Sequence, residues 1–124
     1  PPRFLPVQEK TIVAYKIWLE ISKDIPKLAR YSVGIKTDSL FVDAIESIAV
    51  ASFLSKAEKI PWIRRAIMKL DTVKVMAYVL WESKHIDDKK YLRLSEPLDE
   101  TGRMLGGWNG QLMKQNSPAK AGEK

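Results

Sequence analysis

Residues 91–112, YLRLSEPLDETGRMLGGWNGQL, decide the fold. Tyr91, Leu94, Leu98, Thr101, Leu105, Trp108 and Leu112 recur at steps of 3, 4, 3, 4, 3 and 4. That period lays them along one side of an α-helix. Asp87-Asp88 just upstream are acids suited to a helix N-terminus, where the backbone dipole is positive. Pro97 lies inside the pattern and is expected to kink the helix or cost it one hydrogen bond. A helix over about 88–114 with so sustained an apolar stripe needs other helices to cover it.

Working outward, proline and polar residues divide the rest of the chain into three more segments of the same kind. The first spans about 6–24, with Pro6 in the first turn, where its missing N–H is not needed. Val7, Thr11, Ala14, Trp18, Ile21 and Ile25 form its stripe, and Pro26 stops or kinks it. The second spans about 29–55, with Leu40, Phe41, Ala44, Ile45, Ile48, Ala51 and Phe53 apolar and Asp38, Asp43 and Glu46 on the solvated side. Lys56-Ala57-Glu58-Lys59 reads as a polar connection, and a third helix is expected over about 61–84. Its stripe is Ile63, Ile67, Leu70, Val73, Ala77 and Leu80. From Val73 to Trp81 it is apolar all round apart from Lys74, the mark of a helix buried on more than one side. In so small a bundle, burial by further copies of the chain is the natural source. No segment alternates with period 2, so no strand is expected. Short connections make sequence neighbours antiparallel. The expected fold is all-α: an antiparallel up-down four-helix bundle over 1–114, followed by a polar tail over 115–124.

The bulk properties fit this. The chain has 124 residues, 45% of them hydrophobic, enough for one domain with a core. No apolar run approaches the roughly 18–20 residues that cross a bilayer. PPRFLPVQEK at the start has no apolar h-region and does not read as a signal peptide. There is no cysteine, hence no disulfide or thiolate metal site. A cytoplasmic protein is the expectation.

The formal charge of +6 favours polyanionic partners. Its distribution is uneven. Residues 59–86 carry six Lys/Arg against Asp71 and Glu82, a net +4, whereas residues 31–58 are net −2. The third helix is the most basic element, through Lys59, Arg64, Arg65, Lys69, Lys74 and, at its end, Lys84. Lys59, Arg65, Lys69 and Lys84 share about a third of the helical circumference, and Arg64 and Lys74 point elsewhere. A solvated face explains the first group as well as nucleic acid does. Lys74, the one charge in the apolar block, either snorkels to the edge of the core or faces a wet basic cavity in an oligomer.

Nothing here assembles into a catalytic set, and no metal or cofactor is expected. His85 is the single histidine, so Glu82-x-x-His85 offers at most half of a di-iron site. Glu96, Asp99 and Glu100 fall outside the apolar stripe and read as a solvated face. The glycines carry more. Gly102, Gly106 and Gly110 recur every four residues beside Leu105 and Trp108, with Gly107 as a fourth. Glycine inside a helix costs about 1 kcal/mol relative to alanine, so the cluster needs a reason. Close helix–helix approach is favoured over a fraying helix end, because Trp108 and Leu112 keep the period beyond the glycines.

Four segments carry a family likeness: LPVQEKT (5–11), IPKLARYSVGIKTDSLF (25–41), AIMKLDTVKVMAYVLWE (66–82) and YLRLSEPLDETGRMLGGW (91–108). Together they resemble the accessory variability determinant (Avd-like) four-helix-bundle family, with Gly102–Trp108 the most specific piece. The resemblance implies a ring-shaped homopentamer encoded beside the reverse transcriptase of a diversity-generating retroelement. It implies a non-catalytic protein that binds that enzyme and template RNA or cDNA and supports mutagenic reverse transcription. It also implies basic residues one turn apart on the third helix; Lys74 supplies one, and Tyr78 stands at the other place. A related branch, encoded in intervening sequences of ribosomal RNA genes, implies the alternative: a homo-oligomeric protein–protein scaffold without direct nucleic-acid binding.

Overall fold

The computed structural model describes residues 2–116. Helix α1 covers Pro6–Ser22, a single turn α2 covers Lys27–Ala29, and a π turn, Arg30–Gly34, leads into α3, Ile35–Ser52. Helices α4 and α5 cover Lys56–Glu82 and Asp88–Gln115. Among the described residues there is no strand.

The cross-helix contacts define the topology. Gln8 meets Ile45 and Tyr15 meets Asp38, so α1 and α3 are antiparallel. Asp43 pairs with Lys69, and the Ala51 carbonyl with Lys59, across α3 and α4. Lys74 pairs with Asp99, and Arg64 meets Met113, across α4 and α5. Glu20 with Arg93, and Lys10 with Glu100, close the circle between α5 and α1. Each long helix runs antiparallel to its two neighbours, the arrangement of an up-down four-helix bundle.

The core is built from the expected stripes with two corrections: Ala66 rather than Ile67 takes the inward place after Ile63, and Phe53, at the C-cap of α3, is 88% exposed. Trp18 and Ile21, Phe41 and Ile48, Leu70 and Leu80, and Leu94, Leu98 and Leu105 are all sealed from solvent. Each such side chain contributes about 1.5–3 kcal/mol relative to an exposed one, so the stripes alone dictate the packing.

Element boundaries depart from expectation, beginning with α1, which ends at Ser22 rather than near 24. The second segment begins at Lys27 and ends at Ser52, and its start is not a regular helix. Ala29 and Thr37 are both buried. Eight residues of regular α-helix would set them about 80° apart. The π turn absorbs one extra residue and brings both onto the inward face. Gly34 sits inside that turn, where a Cβ would lie 3.4 Å from Arg30 Cγ and 3.5 Å from the Ala29 carbonyl.

The stretch 56–59 is no connection: it is the first turn of α4. Ser55 stands at the N-cap with Glu58 three residues on, the capping-box pattern, here closed between the two side chains at 2.5 Å. Pro61 therefore lies within the helix. The hydrogen bond it cannot donate would have gone to Ala57, which is exposed and can turn its carbonyl to water.

The helix also ends two residues early, at Glu82. Lys84 adopts the left-handed conformation, φ 63°, while His85 N and Ile86 N donate back to the Leu80 carbonyl at 2.8 and 3.3 Å. α5 opens as expected, with Asp87 accepting from Lys90 N at 2.8 Å, and runs through Pro97 to Gln115. Of the proposed tail, Gln115 belongs to α5, and 117–124 lie outside the described residues. Among the described residues, no helix is long and apolar enough to cross a membrane.

Candidate oligomer and nucleic-acid interface

The bundle separates the basic residues of α4 rather than gathering them. Lys59 folds back along the end of α3 and donates to the Ala51 carbonyl at 2.6 Å, capping that helix, with its ammonium 5.9 Å from the centre of the Trp108 ring. Lys69 reaches Asp43 at 3.3 Å on the α3 side. Lys74 leaves the apolar block on the α5 side and reaches Asp99 at 3.4 Å. Within one chain, then, Lys74 snorkels to the edge of the core. Arg64 and Arg65 are exposed and form no ion pair among the described residues; Arg64 Nη2 contacts Met113 Sδ at 3.2 Å. Lys84, grouped with the others by helical angle, lies past the helix end. The carboxylates of α5 are engaged in the same way, Asp99 with Lys74 and Glu100 with Lys10 at 3.3 Å.

The glycines need a correction. Leu105 is fully buried and Trp108 half-buried, as their period implies. Gly106, Gly107 and Gly110, however, are exposed, and a Cβ on any of them would meet nothing within 4 Å. They mark no close helix approach inside the bundle. Nor do they end the helix, which continues to Gln115. The glycine row lies about 100° or more round α5 from its core stripe, so it faces outward. Gly102 alone is crowded: a Cβ there would come within 3.0 Å of Lys74 Nζ, so its bare backbone gives the lysine its route to Asp99.

Beside that bare surface, α4 carries a second register. Arg64, Met68, Asp71, Val75, Tyr78 and Glu82 follow steps of 4, 3, 4, 3 and 4 along the side turned away from the core. Met68, Val75 and Tyr78 are 59%, 55% and 49% exposed. The Val73–Trp81 block is thus double-sided, with Val73, Ala77 and Leu80 sealed inward and Val75, Tyr78 and Val79 left outside. Ile67, Met68 and Val75 line a shallow depression with Arg64, Asp71 and Asn109 of α5.

Two polar features escape a reading of the sequence. Gln8 is buried at a core position, and the only hint is a polar residue one step from Val7 on the inward side of α1. Tyr15 donates to Asp38 at 2.9 Å, and burial first, then that bond and the Asp38 charge, push its phenol up to about 12.

Comparison with protein-family models, with curated proteins and with solved structures finds no match.

Proposed function

We propose that this chain is a non-catalytic accessory subunit of a diversity-generating retroelement, acting as a ring-shaped homopentamer that binds the reverse transcriptase and template RNA or cDNA. The observation that carries the reading is the outer register of α4. On the side away from the core, Met68, Val75 and Tyr78 stand exposed between the charged Arg64, Asp71 and Glu82, an apolar strip with charged flanks that suits a partner helix. The adjacent glycine face of α5 has no side chains to hold such a partner off. The antiparallel bundle accords with the Avd-like resemblance, and the ring and its pentameric number come from that resemblance. In a ring, Lys74 and the exposed Arg64 and Arg65 supply positive charge for phosphate. Contacts of that kind position a strand and carry little sequence information.

The test is RNA binding at several salt concentrations with the purified protein, alone and with its reverse transcriptase. Affinity falls steeply with salt when phosphates are neutralised. Replacing Arg64, Arg65 and Lys74 together by Gln flattens the log-affinity against log-salt slope by about one unit for each phosphate no longer neutralised, with circular dichroism as the folding control. An unchanged slope and affinity in the folded variant removes these residues from the interface.

One observation favours the scaffold reading instead. Lys59, Lys69 and Lys74 already have partners within the chain. If the protein assembles but binds no RNA, with or without the polymerase, the outer register of α4 serves a protein scaffold and the charge is structural.

A further inference from the structure

We propose that the cleft between the N-terminal arm and the end of α3 receives one unstacked base of a single-stranded nucleic acid. This rests on the nucleic-acid reading above and adds to it a second contact, away from the basic residues of α4.

The cleft holds about 340 Å³ and is walled by Phe4, Leu5, Ile48 and Phe53, with Gln8 and Arg3 among its lining residues. Phe53 stands at the C-cap of α3 and is 88% exposed. A phenylalanine ring left so open at a helix end adds little to the chain's own core and presents a flat apolar face to the cleft.

Gln8 is different in kind, being only 3% exposed. Its Nε2 donates to the Ile45 carbonyl at 3.1 Å, which fixes the orientation of the amide. The other end, Oε1, is buried without a partner. A buried acceptor without a donor carries a desolvation penalty that an incoming N–H relieves. Oε1 has almost no surface open to solvent, so an incoming ring reaches it only if a neighbouring residue shifts; Phe4 and Leu5 stand in the same lining. Both residues precede α1 and lie outside any regular element. Arg3 places a cation in the lining, and no carboxylate lines the cleft. Glu9, next to Gln8, turns to a separate depression with Lys10 and Glu100.

These features select an occupant: flat, apolar on its faces, with an N–H on its edge and an anion attached. A nucleobase on a phosphate chain meets all four conditions. Single strands are held in this manner, by stacking on exposed aromatic rings and by cations along the backbone, with edge hydrogen bonds to splayed bases. Every base has an edge N–H, so Gln8 favours the presence of a base over its identity. A duplex keeps its bases stacked and does not offer one.

The test is anisotropy of an end-labelled uridine oligomer, compared with the same oligomer bearing abasic sites. Both are titrated with the full chain and with the Phe53→Ala, Phe53→Trp and Gln8→Met variants. Removing one stacking ring weakens binding roughly five- to hundredfold. Phe53→Ala is therefore expected to bind at least about fivefold more weakly with its salt slope unchanged, since every phosphate keeps its cation. Phe53→Trp restores binding, and the abasic oligomer binds the parent as weakly as the intact one binds Phe53→Ala. Phe53 is on the surface, so the alanine variant keeps the fold, and circular dichroism verifies this for Gln8→Met, expected to weaken binding less. Equal affinity of parent and Phe53→Ala, or no effect of abasic sites, overturns the proposal. If the Gln triple variant of α4 still flattens the salt slope, the α4 interface stands without it. A parent that binds neither oligomer, alone or with the reverse transcriptase, overturns both.

Discussion

The two long sides of α4 share one helix and one spacing, yet differ in what covers them. Inward, Ile63, Ala66, Leu70, Val73, Ala77 and Leu80 are sealed by the other helices. Outward, Met68, Val75, Tyr78 and Val79 keep roughly two-fifths or more of their surface in solvent. The inner register specifies the bundle, because its steps match the stripes of α1, α3 and α5. The outer register adds little to that bundle beyond the contact of Arg64 with Met113. Its Met68, Val75 and Tyr78 are surplus apolar surface, about 25 cal/mol for each Å² that a partner would cover. Fold and assembly are thus written on opposite sides of one element, and substitutions can address them separately.

The largest effect belongs to the inner side. Leu70→Ala and Leu105→Ala each lower stability by about 2–5 kcal/mol, as large-to-small changes in a sealed core do, measured by urea unfolding. Trp108→Ala costs less than Leu105→Ala, since that ring is only partly buried whereas Leu105 is sealed. A change below about 1 kcal/mol at Leu70 would erase the distinction between the two sides.

Next comes Tyr15→Phe, which removes the bond to Asp38 and costs about 1–2 kcal/mol. It has a pH signature. The folded phenol titrates near 12, against an ordinary value of 10.0. Its contribution is therefore complete below pH 10 and fades as pH rises through the folded value. The parent loses stability between about pH 10 and 12 by this route, and Tyr15→Phe loses less over the same window in thermal melts.

The outer side gives smaller numbers for the fold. Gly106→Ala stabilises the chain by about 0.5–1 kcal/mol, because the site is helical and open. Gly106→Leu, a disruptive change if the glycine packed against a helix of its own chain, leaves the melting of the isolated bundle near that of the parent. Val75→Gln changes bundle stability by less than about 0.5 kcal/mol and weakens assembly instead. Equal destabilisation by Val75→Gln and Leu70→Ala would mean that the outer side belongs to the core.

Much of this is legible in the sequence. Period alone places Trp18, Leu70, Leu94, Leu98 and Leu105 in the core, because a 3-4 repeat of apolar residues has one low-energy solution. The start of α4 is misread although its signal is present: Pro61 draws the boundary to itself, while Ser55-x-x-Glu58 marks the true one. The π turn has no local signature, since it arises from the need to bring Ala29 and Thr37 to the same side. The glycine row suggests close packing because period shows which residues share a side of a helix but not which side meets a neighbour. Charge counting fares worst for the candidate interface. It sums Lys59, Lys69 and Lys74 as a field, whereas each is drawn to a different acceptor by the helix beside it.

The most direct measurement is sedimentation equilibrium of the parent and of Val75→Gln at micromolar concentration. A pentameric ring gives the parent a mass five times the 14.1 kDa of one chain, and Val75→Gln shifts the population toward smaller species while its circular dichroism stays helical. A parent that sediments only as a 14.1 kDa monomer contradicts the assembly, and with it the role assigned to the outer side of α4.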